Sequence, residues 1–96
     1  MVVGILQIEL AIDGAQSLKD KRRVVRSLKD RLHREHQVSV AEVASLDDCQ
    51  KAVLGITLAS NDAAHCQSVL DRILEKLKTA RDCYLADHRT EILAGR

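Results

Sequence analysis

SLKDKRRVVRSLKDRLHREH, residues 17–36, separates into two faces when wound as a helix. Leu18, Val24, Val25, Leu28 and Leu32 fall on one side. Lys19, Arg22, Arg26, Lys29 and His33 recur at three- and four-residue spacing on another, with no carboxylate among them. Ser17 followed by Asp20 has the form of a capping box, with a carboxylate in the first turn to meet free amides. The stretch therefore predicts a first helix running to about His36. Its apolar face needs a sheet to cover, and its basic ridge points to an anionic partner.

Lys21 breaks the pattern. Its angle on the wheel lies within the apolar face, between Val25 and Leu28. A lysine there can lay its stem on the core and hold its amine at the rim, as a snorkelling side chain or as a ligand contact.

On the N-terminal side, Val2–Asp13 alternates. Leu6, Ile8, Leu10 and Ile12 point one way and Gln7 and Glu9 the other, the period of a strand closed by an Asp13–Gly14 turn. On the C-terminal side, Val38–Leu46 and Leu54–Ser60 predict two further strands. Asp47, Asp48 and the polar residues through Lys51 predict the hairpin loop between them. Ser60–Asn61–Asp62 supplies N-cap residues for a second helix to about Thr79, with Cys66, Leu70, Ile73 and Leu77 inward. Cys83–Leu93 predicts a last, partly exposed strand. No repeat, linker or low-complexity segment interrupts this order.

Strand–helix–strand–strand–helix–strand, with right-handed crossovers, predicts an α+β, ferredoxin-like βαββαβ sandwich. Its four-stranded antiparallel sheet would run in the order 4-1-3-2, with both helices on one face. Residues 1–96 are expected to form that single domain. Leu, Ile and Val make up 28 of the 96 residues, and Tyr84 is the only aromatic, so the core is expected to be aliphatic.

Formal charge is only +1, but it is unevenly spread. Lys19–Arg34 holds eight basic residues against Asp20 and Asp30, while the other 80 residues carry seven basic and twelve acidic groups. That asymmetry bears on what approaches the first helix, not on fold. A face of Lys19, Arg22, Arg26 and Lys29 matches the footprint of a phosphate-backbone contact.

The topology also gathers Ser17, Lys19, Lys21, Arg22, Asp47, Asp48 and Gln50 at one rim beside a helix N-terminus, a candidate anion site. Sequence reasoning thus selects Lys19, Lys21, Arg22, Arg26 and Lys29 as nucleic-acid or anion contacts, and Ser17, Asp47 and Gln50 as rim-loop residues. The outer sheet face would offer Ile5, Gln7, Glu9 and Ala11 beside Gly55, Thr57 and Ala59. None of these can stack on a base, so that face suits a protein partner, including a second copy.

Three scattered cysteines, Cys49, Cys66 and Cys83, predict neither a disulfide framework nor a zinc ribbon, and read as reduced thiols of a cytoplasmic protein. The histidines His33 and His36, with His65 and Asp62 near the opposite rim, fix no third metal ligand. Neither thiol catalysis nor a glycine-rich phosphate loop is supported, and no cofactor, no metal and no catalytic residue is expected. The N-terminal run has no basic leader segment, and no apolar stretch approaches the roughly 20 residues of a membrane span. Neither a membrane nor a DNA partner is expected.

The sets Ser17-Leu18-Lys19-Asp20-Lys21-Arg22, Ser39-Val40-Ala41-Glu42-Val43, Gln50-Lys51-Ala52-Val53-Leu54-Gly55 and Ser60-Asn61-Asp62 together resemble the YlxP family of small bacterial proteins, from Met1 to about Leu93. The resemblance implies a ferredoxin-like domain with no assigned activity. It also implies a role near translation or ribosome maturation, because the family's genes often lie beside those for a translation initiation factor and a ribosome-binding factor. The family usually carries an aromatic residue in the hairpin loop, where this chain has Cys49. Taken together, these readings lead to an expected non-enzymatic module that contacts RNA or a ribosome-associated, acidic partner through its first helix. The competing expectation is a homodimer formed through the open sheet face, with no nucleic-acid role.

Overall fold

Burial on β1 (Val2–Ala11) follows its alternation: Leu6, Ile8 and Leu10 lie in the core, while Gln7 faces solvent. The computed structural model describes residues 1–95. After β1 come α1 (Leu18–His36), β2 (Ser39–Ala44), β3 (Lys51–Ser60), α2 (Ala63–Leu77) and β4 (Tyr84–Ala94). The strands form one antiparallel sheet in the order β2-β3-β1-β4, which is the expected 4-1-3-2 read from the other edge. Both helices contact the sheet, α1 chiefly over β2 and β3, and α2 over β1, β3 and β4. This is the ferredoxin-like arrangement.

The core between the layers is aliphatic. Val25, Leu28 and Leu32 from α1 and Cys66, Val69, Leu70, Ile73 and Leu77 from α2 close over Leu6, Ile8, Leu10, Leu54 and Ile56. Each helix begins where its cap demands. Ser17 accepts from the Asp20 amide at 3.1 Å, and the Asp20 carboxylate accepts from the Gln16 amide at 3.0 Å. The reciprocal arm of the box therefore reaches one residue further back than usual. Asp62 caps α2 by accepting from the Ala64 amide at 2.9 Å. Close approach fixes Gly4, where a Cβ would stand 2.9 Å from Leu58 Cδ2 and 3.3 Å from Leu70 Cδ1. A methyl group there would have to displace the Leu58 side chain of β3 and press on α2.

Two boundaries differ from expectation. β3 starts at Lys51 rather than Leu54, because Lys51, Ala52 and Val53 pair with Ala11, Leu10 and Glu9 of β1. The hairpin loop is correspondingly shorter. β2 covers only Ser39–Ala44, and a register shift between Glu42 and Ala44 precedes Ser45 at φ 58°. Among the described residues all three cysteines are free, with Cys66 and Cys83 buried. No described helix is long and apolar enough to cross a membrane.

Candidate functional site

Lys21 is the buried charge around which the rim is organised. Its residue is only 1% exposed. The ammonium donates to three main-chain carbonyls, Ser45 at 2.8 Å, Leu46 at 3.2 Å and Lys51 at 3.3 Å. Those three acceptors match its three protons. Glu42 Oε2 lies 2.8 Å from the same nitrogen, off the hydrogen-bonding directions, and supplies the counter-charge. The wheel angle noted in the sequence thus carries a physical meaning: the stem crosses the core and the amine staples α1 to the β2–β3 hairpin.

This corrects the expectation that Lys21 contacts an outside anion. A buried ammonium with its protons committed to carbonyls and its charge balanced by Glu42 has nothing left to offer a ligand. Glu42 was the partner missed by sequence reasoning. Its signal was an inward-facing acid on a short strand, two residues after Val40, on the same side as the odd lysine.

The rim residues gather as the topology requires, but they bond to one another. The Ile12 amide donates to the Gln50 carbonyl at 2.9 Å, and Gln50 Nε2 reaches the Ala15 carbonyl at 3.5 Å. Asp48 accepts from the Gln50 amide at 2.9 Å, and the Asp48 amide donates to the Ser45 carbonyl at 3.1 Å. Ser17 is occupied as the cap. Asp47 stays exposed on the loop. Rim contacts therefore lock the hairpin against the β1–α1 connection.

The outer face of α1 is different. Lys19, Arg22 and Arg26 are exposed and Lys29 is half-exposed. Among the described residues none of these four has a carboxylate in ion-pair range; the ion pairs are Lys21–Glu42, Lys51–Glu9, Lys76–Glu35 and Lys78–Glu75. Lys19, Arg22 and Arg26, with Arg23, line one shallow hollow whose far end is closed by Ser27 and Asp30. Arg23 was not selected from the sequence. It follows from the same periodicity, four residues after Lys19 and three before Arg26.

On the opposite flank of α1, a second hollow lies against the α2–β4 connection, lined by Val24, Leu28, Arg31, Lys76, Asp82 and Cys83 among others. Burial pushes the Cys83 thiol up and Asp82 adds to the shift, with Arg31 opposing them. The shift favours the protonated thiol. At the C-terminal end of α1, His33 Nδ1 lies 2.9 Å from the Val38 carbonyl, and burial together with Arg72 pulls His36 down from the ordinary histidine value. The histidines do not converge: no three His, Cys, Asp or Glu residues are placed to share a metal among the described residues.

Comparison with known proteins agrees with this architecture and assigns it no activity. A family described as "Protein of unknown function (DUF503)" matches residues 3–90. The chain is similar to the uncharacterized protein YlxP of Bacillus subtilis (strain 168), 28% identical over 90 residues that span 94% of this chain and 98% of that relative. Among solved structures it resembles a de novo designed protein with a ferredoxin fold, determined by solution NMR. That likeness has a TM-score of 0.50 and 16% identity, covers 97% of this chain and 84% of the other, and concerns fold alone.

Proposed function

The chain belongs to the DUF503 family, whose members have no established function, and we propose that it is a non-enzymatic binding module that holds RNA through the outer face of α1. The observation carrying this reading is the exposed run Lys19, Arg22, Arg23 and Arg26 around one hollow, continued by Lys29; Asp30 stands at the far end of the hollow, and among the described residues no carboxylate lies in ion-pair range of these five. Charges left bare on a folded surface cost self-repulsion, which an arriving phosphate backbone relieves by its opposite charge, while the counterions it releases add a favourable entropy.

Rigidity supports the same reading. Lys21 fixes the start of α1 to the hairpin, and the Glu35–Lys76 ion pair ties its end to α2. The ridge is therefore presented by a helix tied down at both ends. An RNA partner in translation or ribosome maturation, within the cytoplasm, agrees with the neighbourhood the family resemblance implies.

Arg22→Glu/Arg26→Glu/Lys29→Glu tests this directly. The variant should keep the native circular dichroism spectrum and lose co-sedimentation with ribosomal subunits. Undiminished co-sedimentation would refute the proposal. Loss of binding to a ribonuclease-treated fraction but not to purified RNA would replace the RNA with an acidic protein.

A further inference from the structure

We propose that two copies of this chain join edge to edge through β4, in antiparallel register about a two-fold axis at Thr90, giving one continuous sheet of twice the width. The main chain states which groups are free. Met1 and Gly95 exchange both hydrogen bonds, with the Met1 amine donating to the Gly95 carbonyl at 3.2 Å and the Gly95 amide to the Met1 carbonyl at 2.8 Å. From that pair the β1–β4 register runs unbroken through Val2–Ala94 to Glu9–Asp87.

In an antiparallel ladder bonded pairs alternate with non-bonded ones. Leu93, Glu91, Arg89 and Asp87 therefore turn their amides and carbonyls toward β1. His88, Thr90, Ile92 and Ala94 turn theirs outward. β4 is an edge strand, so these groups meet no further strand. From Asp87 to Ala94 the edge is regular; its only irregularity lies next to Leu85, opposite the Glu9–Leu10 step. The opposite edge, β2, is six residues long and broken by the shift after Glu42. A long regular edge is the feature that recruits another strand.

Side-chain charge then selects both the occupant and the register. Arg89 and Glu91 are exposed on the outer sheet face, and their neighbours across β1 are the uncharged Gln7 and Ile5. Among the described residues neither has an ion-pair partner. A two-fold axis at Thr90 places Arg89 of each copy directly opposite Glu91 of the other, so both pairs form at once. It also sets Thr90 against Thr90, and His88 against Ile92, with their outward main-chain groups aligned; the His88 amide, which donates to Asp87 Oδ1 at 2.8 Å, exchanges that acceptor for the Ile92 carbonyl of the other copy.

Neighbouring registers fail. An axis at Arg89 opposes two arginines, and one at Glu91 opposes two glutamates, each an unfavourable like-charge pair. An axis at His88 also opposes an acid, Asp87, to Arg89, but it brings the irregularity at Ala86 within two residues of the axis and so breaks the ladder there. Charge and strand regularity are thus satisfied together in one register, as an isologous contact requires.

Sedimentation equilibrium of the full chain, free of nucleic acid, tests the inference across micromolar to millimolar concentration. The wild type should show a monomer–dimer equilibrium. Arg89→Glu and Glu91→Arg should each weaken it by about tenfold or more. The doubly exchanged chain, Arg89→Glu/Glu91→Arg, should regain wild-type association, as should a mixture of the two single variants. Thr90→Pro, which removes an outward amide without touching the β1 ladder, should give monomer with an unchanged melting temperature.

A strictly monomeric wild type overturns the inference, and so does dimerisation indifferent to the single charge reversals. Capture of an extended peptide on β4 by a monomeric chain does the same. Arg22→Glu should leave the dimer intact, so failure here and failure of RNA binding read out separately.

Discussion

Lys21 and Glu42 form a buried pair whose two members are not equally replaceable. Loss of the ammonium orphans three carbonyls and a carboxylate at once, whereas loss of the carboxylate leaves the ammonium still bonded to the carbonyls. Lys21→Met keeps the stem and should destabilise the fold by about 3 kcal/mol, as breaking a buried ion pair generally does. Glu42→Gln should cost distinctly less. Urea unfolding checks both, and a Lys21→Met chain as stable as wild type contradicts the assignment.

A second residue carries a pH signature. The His36 ring is partly buried beside Arg72, and its Nε2 is enclosed with no hydrogen-bond partner, so the folded state disfavours its protonation. Above about pH 6.5 the ring is neutral in both states and contributes no pH dependence. As pH falls through that value the unfolded chain takes up the proton more readily, and stability is lost. His36→Gln should flatten this part of the stability profile between pH 7.5 and 5 relative to wild type, measured by denaturant titration. At this scale the sequence was half legible. Lys21 stood out by its place on the wheel and Glu42 by its inward position on β2, but that the two meet depends on how the hairpin docks beside α1, which no local pattern reveals.

Elements were legible where periodicity and capping agree. α1 begins at Leu18 and ends at His36 as its cap and wheel require, and β1 shows its alternation in burial. The start of β3 was not legible. Lys51-Ala52-Val53 reads as the polar end of a loop because Lys51 belongs to the outer face, where it meets Glu9 at 3.2 Å. Pairing with β1, not local propensity, makes these residues a strand.

Packing between elements sets a further expectation. Gly4→Ala would press a methyl group against Leu58, Leu70 and Cys66 where β1 meets α2. A loss of about 1–2 kcal/mol in thermal or urea unfolding is expected, the scale of overpacking in a filled core. An Ala variant of undiminished stability would show that β1 and α2 are less tightly apposed than described.

At the scale of the molecule, topology decides which charges are used internally and which are left outside. The crossover that brings the β2–β3 hairpin beside the start of α1 neutralises Lys21 and leaves Lys19, Arg22, Arg26 and Lys29 bare. Whole-chain charge, at +1, conceals this division. Most of the candidate surface was therefore legible from the helix wheel; Lys21 was withdrawn from it by tertiary structure, and Arg23 was added to it.

Affinity for a single-stranded RNA, measured by fluorescence anisotropy from low to moderate salt, tests that division most directly. Four phosphates engaged by Lys19, Arg22, Arg26 and Lys29 predict a log–log slope of about −3, with Lys21→Met leaving that slope unchanged in any fraction that remains folded. A slope near zero, or one that falls by a full phosphate on loss of Lys21, would contradict the account.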